Sequence, residues 1–274
     1  MRAVARVPAR PPGRPLTRAL GIALASALGL AGAAPAGAEP CSRMTHEGRG
    51  YAVCAAAAGD PVRMWLRAPD GAAWGSFERL AGSLAAQGIR LVFAMNAGMY
   101  HSDRSPVGLY VEDGAQEGRL VTRQGPGNFG MLPNGVFCVA DGAFAVIESR
   151  SFAAAPPACR HASQSGPMLV IDGQLHPRFL VDSASRFRRN GVGVSADGRQ
   201  AFFVISDGAV TFHEFARFFR DVLGTPQALY FDGNVSRLHA PGLGRADGGR
   251  PMGPIVGMAV PAGAAGVDPA GPPG

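Results

Sequence analysis

The chain has 274 residues, 47% hydrophobic and 17% charged, which is enough apolar material for a sizeable core and too much for a disordered protein. All 26 basic residues are Arg, and the absence of Lys excludes a P-loop lysine, a Schiff base and a Ser-Lys dyad, each of which needs an ε-amine. The formal charge of +6 belongs largely to the N-terminus. Without its five Arg the balance is 21 basic against 20 acidic residues, with no basic run among aromatics, so no nucleic-acid partner is expected.

In chain order, Arg2, Arg6, Arg10, Arg14 and Arg18 form a basic leader, residues 19–34 an apolar stretch, and Ala36-Gly37-Ala38 a small-residue cleavage site. This pattern predicts a secretory signal peptide over residues 1–38, cut before Glu39. The apolar stretch is too short and too rich in Ala and Gly for a good membrane span. The expectation is an exported protein, periplasmic or secreted, without stable membrane insertion after cleavage. Cys41, Cys54, Cys138 and Cys159 remain, and an even count in an oxidising compartment suggests two disulfides. Three pairings are open, and proximity favours Cys41–Cys54 and Cys138–Cys159.

Residues 76–87 predict a helix, with a Ser cap, Phe77, Leu80 and Leu84 at helical spacing, and Gly88 as the stop. An apolar run at 89–95 follows as a buried strand. Eight Asp-Gly pairs, beginning at Asp70, Asp113, Asp141, Asp172, Asp197, Asp207, Asp232 and Asp247, suit turns with positive φ. The clearest hairpins join 136–140 to 143–148, turn at Asp172-Gly173 after 168–171, and join 191–195 to 200–206. A second helix starts at Thr211, where Thr-x-x-Glu with Glu214 makes a capping box. Its stripe is Phe212, Phe215, Ala216, Phe219 and Leu223, and Gly224 stops it. Residues 228–231 read as another buried strand, and 261–274 as a disordered tail. The resulting expectation is an α+β fold. It has one domain over 39–260, mixed β-sheets with many Asp-Gly hairpins, and a few packed helices.

Several familiar motifs fail. Gly125-Pro126-Gly127-Asn128-Phe129-Gly130 matches G-x-G-x-x-G, but Pro133, Asn134 and Gly135 follow it and no helix can open there. His213-Glu214 lacks the second His of a zincin, and no G-x-S-x-G exists. A different group recurs at strand ends. Asn96 and Gly98 follow the strand at 89–95, and Asn134 precedes 136–140. Gln164, Ser165 and Gly166 precede 168–171. Arg189 and Asn190 open the strand at Val192, and Asp232 and Gly233 close 228–231. Neutral hydrogen-bonding side chains beside Gly let a polar ligand approach the backbone. A carboxylate there can serve as base or nucleophile, and one Arg as an anion fork.

The blocks FAMNAGMY (93–100), SPVGLYVEDG (105–114), GNFGMLPNGVF (127–137) and SQSGPMLVIDG (163–173) resemble the phosphodiester glycosidase family. So do RNGVGV (189–194), HEFARFFRDVLG (213–224) and ALYFDGNVSRL (228–238), all in family order across residues 50–260 and most similar to its small exported bacterial members. Asn96 matches the Asn of the family's N-x-G motif, Ser165-Gly166-Pro167 its S/G-P turn, and Arg189 the Arg before its G-x-G strand. Asp232-Gly233 and Ser236 match its D-G-G-x-S turn, except that Asn234 replaces the second Gly. The resemblance implies hydrolysis of a glycosyl-1-phosphodiester of an envelope or extracellular glycan, giving a sugar and a phosphomonoester. On that reading Arg189 holds phosphate, with Ser165 and Asn190 as neutral donors. Asp232 faces the sugar as base or nucleophile, Asn96 and Gln164 orient hydroxyls, and Glu112 or His101 serves if an acid is needed. Gly98, Asn134, Gly166, Gly233 and Ser236 complete the substrate contacts. Ca²⁺ or Mg²⁺ through Asp232 and Asn96 is left open, since no metal-loop spacing is present. The competing reading is a non-catalytic glycan-binding module using the same residues.

Overall fold

A computed structural model describes residues 39–263, and the leader at 1–38 lies outside the described residues. Strands dominate and form three sheets. The first runs β1 (Cys41–His46), β2 (Arg49–Ala57), β13 (Gln200–Ser206), β12 (Asn190–Val194), β14 (Gln227–Asp232), β10 (Met168–Ile171) and β11 (Gln174–Leu175). The second runs β16 (Arg245–Ala246), β15 (Leu238–Ala240), β4 (Ile89–Asn96), β17 (Ile255–Pro261) and β3 (Val62–Trp65). The third runs β6 (Ala115–Glu117), β5 (Tyr110–Glu112), β9 (His161–Ser165), β7 (Gly135–Ala140) and β8 (Ala143–Glu148). The expectation of mixed sheets narrows here, because every pairing between these strands is antiparallel.

The three sheets turn one face each toward a shared core. Phe203, Ile205 and Phe231 come from the first sheet, Phe93, Met95 and Met258 from the second, and Phe137, Phe144 and Val146 from the third. Phe137 meets Phe203 edge-on at 5.6 Å between ring centroids, so aromatic contacts join sheets as well as fill space. Each outer face carries its own helix. α1 (Phe77–Ala85) lays Phe77, Leu80 and Leu84 on the second sheet, and the Ser76 hydroxyl accepts from the Arg79 N–H to cap it. α2 (Ser149–Ala154), which the sequence reading did not anticipate, is capped by the Glu148 side chain and buries Phe152 on the third sheet.

α3 (Phe212–Arg217) covers the first sheet and has the expected Thr211/Glu214 capping box. It does not continue as an α-helix to Leu223. Residues 218–222 form a π-turn, with the Leu223 N–H donating to the Phe218 carbonyl. The cause is the run of apolar residues. Phe215, Ala216, Phe218 and Phe219 are all fully buried, and a widened turn rotates the chain so that both adjacent phenylalanines face the sheet.

Both disulfides, Cys41–Cys54 and Cys138–Cys159, are formed. Of the expected tail at 261–274, residues 264–274 lie outside the described residues, while Pro261 pairs with Ile89 as the last residue of β17 and the Ala262 N–H donates to the Gly88 carbonyl. β3 pairs with β17 only as far as Met258, so the last position of β17 suits Pro, which has no N–H to offer a second ladder.

Candidate functional site

Strand ends from all three sheets converge at one place. Asn96 ends β4, Asn190 opens β12, Asp232 ends β14 and Ser165 ends β9. The Asn96 amide donates to Asn190 Oδ1 at 3.1 Å, and the Asn190 amide donates back to the Asn96 backbone carbonyl at 2.8 Å. Ser236 Oγ donates to Asn190 Oδ1 and to the Asp232 carbonyl. Ser165 Oγ donates to the Phe231 carbonyl, and Ser163 Oγ to that of Ala97. These fully or almost fully buried groups join the sheets where their ladders stop. Their bonds answer polar atoms that burial would otherwise leave unpaired.

Above this seam lies a cleft of about 520 Å³ lined by Met99, Tyr100, Val107, Asn128, Phe187, Tyr230 and residues 232–235. Asp232 is the acidic residue in the lining. The β12–β14 register shifts between Asn190 and Gly191, so Asn190 faces Asp232 while Gly191 faces Tyr230. A bulge of this kind re-aims the end of a strand. Asp232 Oδ1 accepts the N–H groups of Gly233 and Asn234 at 2.6 and 2.8 Å, so neither donor occupies its second oxygen. Burial pushes the Asp232 carboxyl above the usual carboxylate range, with the turn's backbone donors pulling the other way.

Gly233 is required by contact. A Cβ there would run into the Tyr230 hydroxyl, which passes over the turn. Tyr230 is buried, and burial raises its phenol pKa, so it stays a neutral donor.

Arg189 stands behind the cleft rather than in it. It is fully buried, Nε donates to the Val210 carbonyl, Nη2 to Ser185, and Nη1 reaches the Tyr230 hydroxyl at 3.4 Å. Its guanidinium lies 3.7 Å from the centre of the Phe212 ring. Burial lowers its pKa from a very high starting value, and Tyr230 offsets part of that. A fork so enclosed is not presented to a cleft ligand. Its contact with the cleft runs through Tyr230.

The other expected residues divide clearly. Asn96, Asn190, Ser165 and Ser236 form the seam, one layer below the cleft. Gly98 packs against Ser163 in the same region, at φ 150°. Gln164 is consumed by the chain: its oxygen accepts from Leu109 and Val121, and its amide donates to the Val121 carbonyl and Ser149. Asn134 donates to the Phe129 carbonyl and packs on Gly166. Glu112 sits elsewhere, accepting from the Tyr110 hydroxyl at 2.7 Å and the Leu66 N–H, with a pKa raised by burial. His101 is in an exposed turn, its N–H bonded to Ser105. Neither lines the cleft.

A divalent cation, left open by the sequence, does not fit this donor set. Asn96 Oδ1 accepts the Arg237 N–H, Asp232 Oδ1 takes two amides, and the described residues contain no group of three or more His, Cys, Asp or Glu suited to a metal. Sequence reasoning missed Tyr230, Asn128, Tyr100 and Phe187. Tyr230 was within reach, because strand alternation puts it on the same side of β14 as Asp232.

The sequence profile of the phosphodiester glycosidase family matches residues 90–248, which span the seam and the cleft. The chain belongs to the phosphodiester glycosidase family. YigE of Escherichia coli K12, called an uncharacterized protein, is 36% identical over 181 residues, covering 66% of this chain and 70% of YigE. Two solved structures share the fold. One is the zebrafish N-acetylglucosamine-1-phosphodiester α-N-acetylglucosaminidase catalytic domain auto-inhibited by its pro-peptide, with TM-score 0.54, 14% identity, and 80% and 81% of the two chains covered. The other is a Burkholderia pseudomallei K96243 protein whose name describes it as exported, with TM-score 0.52, 13% identity, and 77% and 74% covered. Membership of a glycosidase family supports a hydrolase-type function with a glycan substrate. No helix among the described residues is long and apolar enough to cross a membrane.

Proposed function

We propose that the protein is an exported hydrolase that cleaves a glycosyl-1-phosphodiester of an envelope or extracellular glycan, releasing sugar and phosphomonoester. The carrying observation is the Asp232 carboxylate in the lining of a cleft, held by the backbone N–H groups of its own turn. As the bond from the anomeric carbon to the phosphate oxygen breaks, that oxygen takes the electron pair and the sugar gains oxocarbenium character. Asp232 accepts a proton from the attacking water, and the water oxygen becomes the sugar's new hydroxyl. A phosphate monoester leaves without needing a strong acid, which agrees with a lining that offers no second carboxylate.

Tyr230 and Asn128 are the neutral donors for the phosphate, and Arg189 positions Tyr230 from behind and lends it charge. The seam residues Asn96, Asn190, Ser165 and Ser236 hold the turn that carries Asp232. Two disulfides suit the oxidising side of a membrane and support export with a leader removed before Glu39.

The test is release of free N-acetylglucosamine from an α-N-acetylglucosaminyl methyl phosphodiester, followed by mass spectrometry, with Asp232→Asn in parallel. Turnover by wild type that falls at least about a thousandfold in the folded variant is expected. Saccharide binding without turnover, unaffected by the substitution, would favour the glycan-binding module instead.

A further inference from the structure

Three large hydrophobic side chains stand exposed among the described residues, and all lie in one loop: Leu180 at 66%, Val181 at 74% and Phe187 at 46%. The loop is not loose at its ends. Phe179 stacks between His176 and Phe212, with ring centroids 4.8 and 4.9 Å apart, and Phe187 exchanges both backbone hydrogen bonds with Val210. Residues 180–186 project between these clamps, so the exposure of Leu180 and Val181 is held in place by the fold. Scattered exposed apolar residues are ordinary, but here the adjacent Leu180 and Val181 and the later Phe187 all fall in one loop held at both ends.

Two further features say what covers these side chains. The same loop carries Arg178, Arg186 and Arg188 against one acid, Asp182; Arg186 is paired with Glu214 of α3 at 2.8 and 2.9 Å, so Arg178 and Arg188 supply the charge this surface offers. Aliphatic side chains at a tip with arginines around it match the boundary of an anionic bilayer, where apolar groups enter the acyl region and cations meet headgroups. The loop is also continuous with the cleft, because Phe187 is both exposed and a cleft wall, beside the apolar Met99, Val107 and Val235. The cleft is therefore amphipathic, with Asp232, Asn128 and Tyr230 on its polar side.

We propose that loop 178–188 docks this protein on an anionic lipid surface, and that the glycosyl phosphodiester cleaved beside it carries a lipid aglycone. The substrate half rests on the hydrolase reading above, whereas the docking half stands on the loop alone. In this arrangement the sugar and phosphate enter the cleft while the aglycone's chain stays in the bilayer along the Phe187 side.

The test takes the chain from Glu39 onward, whose sheets, helices and disulfides close their own core, so that the apolar leader does not itself bind lipid. Co-sedimentation with vesicles of phosphatidylethanolamine and phosphatidylglycerol is compared with phosphatidylcholine alone. Binding to the anionic vesicles that weakens with salt is expected, and Leu180→Ser with Val181→Ser should cut the partition coefficient by at least about tenfold. The double variant should cleave the methyl phosphodiester at the wild-type rate but lose any preference for a hexadecyl phosphodiester of the same sugar embedded in those vesicles.

No binding by the wild type, or equal binding by the double variant, overturns the docking surface. So does a dimer in sedimentation velocity that the double substitution dissolves, since a second copy would then be the occupant. Vesicle binding with no turnover of either phosphodiester overturns the substrate half and the hydrolase reading, and leaves docking standing.

Discussion

Asn190→Ala should be among the most destabilising single changes in the fold, although it removes no part of the hydrophobic core. The side chain makes two bonds with Asn96, at 3.1 and 2.8 Å, and both Asn side chains are fully buried. Truncation leaves the Asn96 amide and the Asn96 backbone carbonyl without those partners, while Ser236 keeps its bond to the Asp232 carbonyl. Each buried polar group left unpaired costs about 1–3 kcal/mol, so the loss is about 4 kcal/mol. For a unit of this size that lowers Tm by about 8–16 °C. Thermal and urea unfolding followed by circular dichroism, with the disulfides kept oxidised, reads it directly. Asn96→Ala removes the acceptor of the Arg237 N–H as well as the shared bond. The double variant should therefore cost about 1–3 kcal/mol less than the sum of the singles. A loss below about 1 kcal/mol for Asn190→Ala, or additive singles, would refute the seam as the element that ties the second sheet to the first.

Other consequences are equally open to measurement. Gly233→Ala drives a methyl group into the Tyr230 hydroxyl, so turnover should fall at least about tenfold while Tm moves by only a few degrees, and wild-type kinetics would contradict the contact. His161, His176 and His239 are all held below the usual histidine range by burial. The unfolded chain then takes up protons first, so stability present above about pH 6.5 is lost as pH falls. Asp232 and Glu112, raised by burial, act with the opposite sign, and His239→Gln isolates the effect by making the acid-side decline of the urea midpoint shallower. Replacing Cys138 and Cys159 by Ala opens a 21-residue link and should cost about 3 kcal/mol, seen as a lower Tm under oxidising conditions.

Local structure was legible where one physical signal acted alone. Ser76 with Phe77, Leu80 and Leu84 gave one amphipathic helix, and Thr211 with Glu214 gave a cap, because both are short-range patterns. The π-turn was not legible, since Phe218 and Phe219 compete for one face and only the packed sheet decides. Sheet order was also hidden: β2 pairs with β13 across some 150 residues, and nothing local encodes that.

The candidate site shows the same division. Turn-like polar residues at strand ends pointed to places that the fold brings near one another, but their depth in the fold could not be read from type and order. Asn96, Asn190 and Ser165 are built into the joint between sheets, Arg189 faces Tyr230 and Phe212, and Asp232 with Gly233 reaches the cleft. Layering of this kind follows from how three sheets meet, which sequence spacing does not carry.

The most direct test of the central claim is where a water oxygen goes. Hydrolysis of the α-N-acetylglucosaminyl phosphodiester in H₂¹⁸O, analysed rapidly by mass spectrometry, should place the label on the released sugar and none on the phosphomonoester, with Asp232→Asn abolishing label transfer. Label in the phosphomonoester would mean that water attacks phosphorus, and a carboxylate stationed at the sugar would then be the wrong account of this cleft.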